Sequence, residues 1–115
     1  MVDRPWGKWS VLYEHEDNTT KVKRLVVNPN SSLSRQKHAS RNELWHVVEG
    51  KGIVELYRNT NFRLEAHSMI EIPAGGWHKL INDSEEELVI IEIQYGDTCD
   101  EEDIERQEDD ADEVE

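Results

Sequence analysis

The most constraining feature of this sequence is a succession of short strand-like segments in its first 96 residues. Each segment shows either alternating polarity or a compact apolar run, and none shows the sustained three- and four-residue spacing of a helix. Turn residues separate the segments, including Gly50-Lys51-Gly52, which predicts a tight hairpin, Asn59-Thr60-Asn61 and Pro73-Ala74-Gly75-Gly76. The pattern predicts an all-β sandwich or barrel. The predicted strands are Trp9–Glu14, Lys21–Val27, Ser34–His38, Leu44–Val48, Gly52–Arg58, Met69–Ile72, Trp77–Ile81 and Leu88–Tyr95.

The last apolar run, Leu88–Ile93, has almost no alternation. It predicts a central strand that is buried on both faces. Glu92 interrupts this run, and a carboxyl group in such surroundings has its pKa raised by burial.

Negative charge is concentrated at the C-terminal end. The last 19 residues hold 12 acidic residues and one basic residue, Arg106, within a formal net charge of −13 for 115 residues. A chain of this length forms one compact domain. We expect that domain at residues 1–99 and an acidic tail at residues 100–115. The tail is predicted to begin with a short helical turn over Asp100–Gln107, with Asp100 as its N-cap, and then to be disordered.

The composition also bears on partners and location. An acidic tail without a basic arm argues against nucleic acid and anionic membranes as partners. No apolar segment approaches the roughly 18 residues needed to cross a bilayer. The first residues, MVDRPWGKW, lack the apolar run of a secretory signal, so we expect a cytoplasmic protein. The one cysteine, Cys99, cannot form an internal disulfide, and nearby carboxylates are expected to raise the pKa of its thiol.

Four side chains in two segments have the spacing of a metal site. Gln36 and His38 lie at i and i+2, on one face of a predicted strand, and Glu43 follows five residues later. His78 follows a glycine-rich turn that can deliver its ring to the same cavity. Together they form a mixed nitrogen and oxygen donor set with positions left for water or substrate. For each histidine alone, an ordinary surface or core role is the alternative.

These two segments resemble the two motifs of the cupin superfamily. Where the first motif is H-x-H-x4-E-x6-G, this chain has Gln36-x-His38-x4-Glu43-x6-Gly50. The second motif, P-x-G-x2-H-x3-N, is matched from Pro73 to Asn82 at every defined position. The resemblance implies a cupin double-stranded β-helix, a jelly-roll barrel, with a divalent metal held by Gln36, His38, Glu43 and His78.

A longer stretch, roughly residues 4–106, is similar to the cupin domain of type II phosphomannose isomerases, which is often fused to a mannose-1-phosphate guanylyltransferase. The similar pieces are Arg4–Gly7, Lys21–Leu25, Leu33–His38, Arg41–Gly50, Ile72–Asn82, Ile91–Gly96 and Glu102–Ile104. The chain departs from that family at Ser40, in place of a second histidine, at Asn30, in place of a glycine, and in its acidic ending. The 115 residues contain no nucleotidyltransferase domain, and we expect no guanylyl transfer from them.

The resemblance implies a metal-dependent isomerase that interconverts mannose 6-phosphate and fructose 6-phosphate. Zinc is the expected metal, because the Q-x-H opening resembles that of zinc-dependent phosphomannose isomerases. The reaction moves a proton between C2 and C1 through an enediol, so it needs a base and stabilisation of an oxyanion. The candidate bases are Glu92 and Lys23, and a structural role is the alternative for each.

Binding of the sugar phosphate requires cationic and polar side chains. Arg41 is the first choice for the phosphate, because its planar guanidinium suits that group, and a surface residue paired with an acid is the alternative. Strand alternation places Arg35 and Lys37 on the solvent side. The candidate substrate contacts are Arg41, Arg4, Lys79, Gln94 and Ser40.

Two other functions compete with the isomerase. A non-catalytic cupin that binds a sugar phosphate or nucleotide sugar is favoured by Ser40 and by the changed ending. A metal-dependent oxygenase is disfavoured by Gln36, since such sites normally use three histidines and one glutamate. The resemblance also implies a homodimer.

Overall fold

The computed structural model describes residues 1–56 and 60–107, which form two facing antiparallel sheets. The first sheet has the strand order β1-β2-β3-β11-β6-β9, and the second has the order β12-β5-β10-β7-β8, with β4 also paired to β10. The predicted all-β architecture is confirmed. The strands are β1 Val2–Arg4, β2 Gly7–Glu14, β3 Thr20–Val27, β4 Ser31–Ser32, β5 Gln36–Lys37, β6 Arg41–Glu49, β7 Gly52–Leu56, β8 Thr60–Leu64, β9 Met69–Ile72, β10 His78–Asn82, β11 Leu88–Gly96 and β12 Glu105–Arg106.

Alternation along the strands places the core between the two sheets. Buried apolar side chains of both sheets face one another there, because burial removes their apolar surface from water. Ten buried residues form this core: Leu25, Val27, Trp45, Val47, Val54, Leu64, Ile72, Leu80, Leu88 and Ile90.

Every predicted strand overlaps an observed one, and four further strands among the described residues were not predicted. The missed strands are β1, β4, β8 and β12, which are two to five residues long and mostly polar. Strand β11 is central, between β3 and β6, as predicted. The prediction that both of its faces are buried is wrong, because Ile93 is 36% exposed on the outer face.

Gly50 does not close a hairpin. Strands β6 and β7, on either side of it, belong to different sheets, so this turn carries the chain across the core. Gly50 has φ +96°, and a Cβ there would lie 2.4 Å from the carbonyl oxygen of Glu87. Only glycine fits this crossing without a shift of the backbone.

The predicted helical turn over Asp100–Gln107 is wrong, because the described residues include no helix. Asp100 does accept a hydrogen bond from the amide of Glu102 (3.0 Å), but the chain then forms a turn and pairs with β5 as strand β12. Long-range pairing therefore overrides the local helical signal. The predicted disorder after Gln107, the end of the predicted strand Gly52–Arg58 and the turn residue Asn59 lie outside the described residues. The described residues form no helix that is long and apolar enough to cross a membrane.

Candidate metal centre

The four proposed metal ligands come together from strands of both sheets. His38 directly follows β5, Glu43 lies in β6 of the other sheet, and His78 begins β10. Gln36 lies opposite His78 in the register of β5 and β10, so their side chains share one face. The amide of Gly75 donates to the carbonyl oxygen of His38 (2.8 Å), which ties the glycine-rich turn to the first motif.

Three of these side chains form a compact donor set. The ligand atoms of His38, Glu43 and His78 all lie within 4.8 Å of one another. Nε2 of His38 is 3.2 Å from Oε2 of Glu43, and Nε2 of His78 is 3.8 Å from Oε1 of the same carboxylate. Two imidazoles and a carboxylate from three separate segments suit a divalent transition-metal ion. Gln36 is half-buried near them, and its amide nitrogen donates to the carbonyl oxygen of Ser34 (3.2 Å).

Each histidine is held through its other ring nitrogen. Nδ1 of His38 lies 2.7 Å from the carbonyl oxygen of Asp103, and Nδ1 of His78 lies 3.0 Å from that of Gly76. Because a carbonyl only accepts, Nδ1 carries the proton and Nε2 presents its lone pair to the cluster. Burial, with a smaller contribution from Arg41, lowers the pKa of His38 to about 4, and burial also lowers the pKa of His78. Both rings are neutral at neutral pH, which is the form that binds metal ions.

The Arg41 guanidinium lies against the same donor atoms. Its Nε and NH2 are 3.0 Å and 2.9 Å from Oε2 of Glu43, and its NH2 is 3.2 Å from Nε2 of His38. NH1 donates to the carbonyl oxygen of Asp100 at 3.4 Å. The predicted phosphate-binding arginine is thus ion-paired, as in its stated alternative, but it is buried and not at the surface.

Glu92, a candidate base, belongs to a buried polar network next to Glu43. Nε1 of Trp45 lies 3.0 Å from Oε1 of Glu43 and 3.1 Å from Oε2 of Glu92, and Nε2 of Gln94 donates to Glu92 at 2.7 Å. Burial, with the nearby charge of Glu43, raises the pKa of Glu92 to about 8. The direction expected from its place in an apolar run is confirmed.

Lys23, the other candidate base, is ion-paired. Its Nζ lies 2.7 Å from Oε1 of Glu101 and 3.9 Å from the ring centre of Trp9. Lys21 donates to the other oxygen of Glu101 at 3.0 Å. These contacts suit Lys23 to binding an anion rather than to accepting a proton.

A cavity of about 500 Å³ opens beside this cluster. Gln36, His38, Arg41 and Glu92 contribute to its wall, whereas Glu43 and His78 do not. The wall is completed by the first three strands, the segment before β5 and the C-terminal segment. The other lining residues are Arg4, Pro5, Trp6, Trp9, Lys23, Leu25, Asn30, Ser31, Ser32, Leu33, Ser34, Glu101, Ile104 and Arg106.

The predicted substrate contacts divide into two groups. Arg4 and Arg41 line the cavity, whereas Lys79, Gln94 and Ser40 do not. Lys79 lies on the opposite face of β10 from His78 by strand alternation. Gln94 is buried beside Glu92, and the amide of Ser40 donates to a carboxylate oxygen of Asp103 at 2.9 Å.

The C-terminal segment holds residues that the sequence analysis did not assign to the site. Arg106, Ile104 and Glu101 all line the cavity. Asp103 binds the amides of Ala39 and Ser40 with its carboxylate, at 3.0 Å and 2.9 Å. The available signal was Arg106 itself, a single base within a long acidic run.

Three smaller expectations can also be compared with the structure. Arg35 is not solvent-facing, because its side chain is 12% exposed and ion-paired with Glu55. Lys37 is partly exposed and lies 4.8 Å from the ring centre of Trp77. The pKa of the Cys99 thiol is raised, as predicted, but burial is the main cause and the carboxylates contribute less.

Comparisons with known proteins agree with this fold. The family described as mannose-6-phosphate isomerase C-terminal matches residues 1–109. The chain is 38% identical over 106 residues to mannose-1-phosphate guanylyltransferase 2 of Escherichia coli O157:H7, covering 92% of this chain and 21% of that protein. It is 40% identical over 108 residues to the alginate biosynthesis protein AlgA of Pseudomonas putida, covering 94% and 22%. The chain therefore spans about a fifth of the length of these curated relatives.

Solved structures show the same fold at low sequence identity. A conserved protein with a double-stranded β-helix domain from Klebsiella pneumoniae has a TM-score of 0.77 at 17% identity, covering 91% of this chain and 90% of that one. A cupin-2 domain from Rhodospirillum rubrum has a TM-score of 0.74 at 16% identity, covering 91% and 68%. The chain thus has a cupin fold, and it belongs to the mannose-6-phosphate isomerase C-terminal family.

Proposed function

We propose that this domain is a metal-dependent isomerase of mannose 6-phosphate and fructose 6-phosphate. The observation that carries the proposal is a cavity in which His38, a member of the His/His/Glu donor set, lies beside a cationic wall. The family description supports the substrate, and the names of the curated relatives point to mannose phosphate chemistry in those proteins.

Charge in the cavity favours an anionic ligand. The chain has a net charge of −13, yet its cavity is lined by four cationic side chains and two carboxyl groups. With its pKa near 8, the Glu92 carboxyl is mostly neutral at neutral pH in this environment, which leaves Glu101 as the anion. Arg4 and Arg106 form no ion pair with the described residues, so both are available to a phosphate group. The cationic side chains are Arg4, Lys23, Arg41 and Arg106.

The donor set fits a divalent ion, with zinc as the proposed metal. His38, Glu43 and His78 would hold it, and Gln36 is placed to supply a further oxygen. Such an ion supplies Lewis-acid polarisation of the sugar oxygens between which the proton moves. The neighbouring strands exclude water from the donor set, since all three side chains are nearly fully buried.

Glu92 is the proposed proton carrier. Its carboxyl group lines the cavity next to the donor set, and Gln94 and Trp45 fix both of its oxygens. In its ionised form, the minor one at neutral pH, it would take the proton from one sugar carbon and, once protonated, return it to the neighbouring carbon. We expect Glu92→Gln to lower kcat by about 10²- to 10⁴-fold, the range typical of a general base, while zinc affinity stays near that of the wild type. Unchanged turnover would remove Glu92 from the mechanism.

The direct test is an isomerase assay on zinc-loaded protein with mannose 6-phosphate, with detection of fructose 6-phosphate. His78→Ala removes a donor and should abolish turnover together with zinc binding. His67→Ala is the matched control, because His67 is exposed outside the cavity and its loss should leave both unchanged. Zinc and mannose 6-phosphate binding without turnover would instead favour the non-catalytic sugar-phosphate-binding cupin.

A further inference from the structure

We propose that Arg41 couples the binding of a divalent ion to the binding of an anion in the cavity. The guanidinium has two alternative partners: the donor atoms of Glu43 and His38, or the phosphate group of a ligand. An ion on the donor atoms releases Arg41 to the ligand, so each ligand strengthens binding of the other. The inference rests on the metal site and the anionic substrate class of the proposed function.

Arg41 contacts two hydrogen-bond acceptors at the same time. Nε2 of His38 and Oε2 of Glu43 lie only 3.2 Å apart, and both are hydrogen-bond acceptors because His38 is protonated at Nδ1. Two acceptors at that distance repel each other unless a positive group lies against both. The Arg41 NH2 group does so, at 2.9 Å from the carboxylate and 3.2 Å from the imidazole.

A metal ion and Arg41 compete for the same lone pair of His38. A neutral imidazole has one lone pair, at Nε2 of His38, and a metal ion bound there needs the same lone pair that Arg41 uses. The Arg41 guanidinium has donors but no lone pair to offer, so it cannot become a ligand itself. A metal ion and the guanidinium therefore cannot hold the His38 nitrogen at the same time.

A displaced Arg41 side chain can turn toward the cavity. Arg41 lines the cavity, whereas its partner Glu43 does not, so Arg41 lies at the boundary between the donor set and the cavity. A guanidinium that is 6% exposed is unfavourable without a counter-charge. An oxyanion in the cavity supplies that charge, in the bidentate geometry that suits arginine.

The coupling between zinc and the anion is therefore positive. Zinc removes the carboxylate partner of Arg41, and an anion then replaces it, so zinc should tighten anion binding. By linkage the anion must tighten zinc binding by the same factor. Direct attraction between zinc and an anion gives coupling of the same sign without Arg41, so the test has to separate the two sources.

The experiment uses sulfate as the oxyanion probe and zinc as the metal, with each affinity measured by calorimetry in the absence and presence of the other. We compare the wild type with Arg41→Gln and with Arg24→Gln, a matched loss of charge at an exposed position on the outer face of β3. Zinc should raise sulfate affinity about 10-fold in the wild type and in Arg24→Gln, but about 2-fold or less in Arg41→Gln. Coupling that persists in Arg41→Gln would overturn the proposal.

Zinc affinity alone provides a second criterion. If Arg41 competes with the ion, Arg41→Gln should bind zinc at least as tightly as the wild type does. If Arg41 only supports the fold of the donor set, the same variant should bind zinc more weakly, which would contradict the proposal.

A measurement on the wild-type chain avoids dependence on any variant. The side-chain Nε–H resonance of Arg41 in ¹⁵N NMR should shift when zinc is added, and shift again when sulfate is added. A resonance that zinc does not move would mean that the guanidinium stays on Glu43, and the proposal would fail.

These outcomes are distinct from those of the isomerase assay. Coupling without turnover of mannose 6-phosphate would support the role of Arg41 and reject the isomerase. Turnover without coupling would do the reverse. A failure of zinc to bind would overturn both proposals.

Discussion

The inward face of the first sheet has an apolar half and a polar half that are buried to the same degree. Strand β11 shows the change within three residues, because Ile90 is fully buried in the core and Glu92 is 6% exposed beside the metal centre. The inward side chains of strands β3 and β6 also change from apolar to polar, at the positions that pair with this part of β11. The apolar half contains Leu25, Val27, Val47, Leu88 and Ile90, and the polar half contains Lys21, Lys23, Arg41, Glu43, Glu92 and Gln94.

The strand register explains why the polar residues meet. Glu92 lies opposite Lys23 on one neighbouring strand and opposite Trp45 on the other, and Gln94 lies opposite Glu43. Antiparallel pairing thus gathers polar residues from three strands at one end of the sheet. The apolar half stabilises the fold by removing apolar surface from water, whereas the polar half requires partners for each buried charge. Burial alone therefore does not distinguish residues of the apolar core from residues of the metal centre.

The largest expected effect is in the apolar half. We expect Ile90→Ala to lower the free energy of unfolding by about 2 to 5 kcal/mol, because it leaves a cavity in a close-packed core. Ile93→Ala on the same strand is the matched control, and its 36% exposure should limit the loss to about 1 kcal/mol. Urea denaturation of both variants measures the difference. Equal losses would mean that the outer face of β11 is also packed, as the sequence suggested.

The second prediction concerns the polar half. We expect Glu43→Leu to destabilise the protein by about 3 kcal/mol or more, because it leaves the buried Arg41 guanidinium without its carboxylate. The double variant Arg41→Met with Glu43→Leu should recover at least about 2 kcal/mol of that loss, since no unpaired buried charge remains. It should still bind no zinc. Denaturant unfolding and zinc titration check the two halves of this prediction, and a double variant no more stable than the single one would contradict it.

The contrast between the two halves also shows how far the sequence could be interpreted. The β-strands and the motif residues are local in sequence, so alternation was sufficient to predict an all-β sandwich or barrel. The resemblance to the two cupin motifs then grouped His38, Glu43 and His78 as one set. The partners of these residues were not predictable in the same way. Alternation places Arg41 and Glu43 on one face of β6, but the contact of Arg41 with His38 joins the two sheets. That contact depends on side-chain rotamers, which strand periodicity does not encode.

The prediction for the C-terminal segment was the main one that failed, for a related reason. Its acidic residues suggested a solvated tail, but Glu101 and Asp103 find their partners about 60 to 80 residues earlier in the chain. Pairing of that sequence separation leaves no periodic signal. Lys79 was misplaced because the sequence does not distinguish a cation facing the cavity from one on the opposite strand face.

The smallest expected effect lies at the rim of the polar half, where Glu101 binds Lys21 and Lys23. Burial alone would raise the pKa of Glu101, but hydrogen bonds and attraction from Lys23 and Lys21 outweigh it and the net pKa lies below 4.5. Because the folded state lowers this pKa, the ion pairs stabilise the protein above about pH 4.5, and this contribution disappears as pH falls through the folded-state pKa.

We therefore expect Glu101→Gln to reduce the free energy of unfolding at pH 7 by less than about 1 kcal/mol, since the Glu101 side chain is 43% exposed and solvent screens its charge. The difference from the wild type should shrink as the pH falls below about 4.5, which denaturation at several pH values measures. Asp83→Asn, in the exposed pair with Arg63, is the matched control and should show a smaller difference at pH 7, because the side chain of Arg63 is 59% exposed. A Glu101→Gln difference that stays constant down to pH 3 would mean that backbone pairing with β5, and not charge, holds the C-terminal segment. The C-terminal segment would then not extend the buried charge network of the polar half.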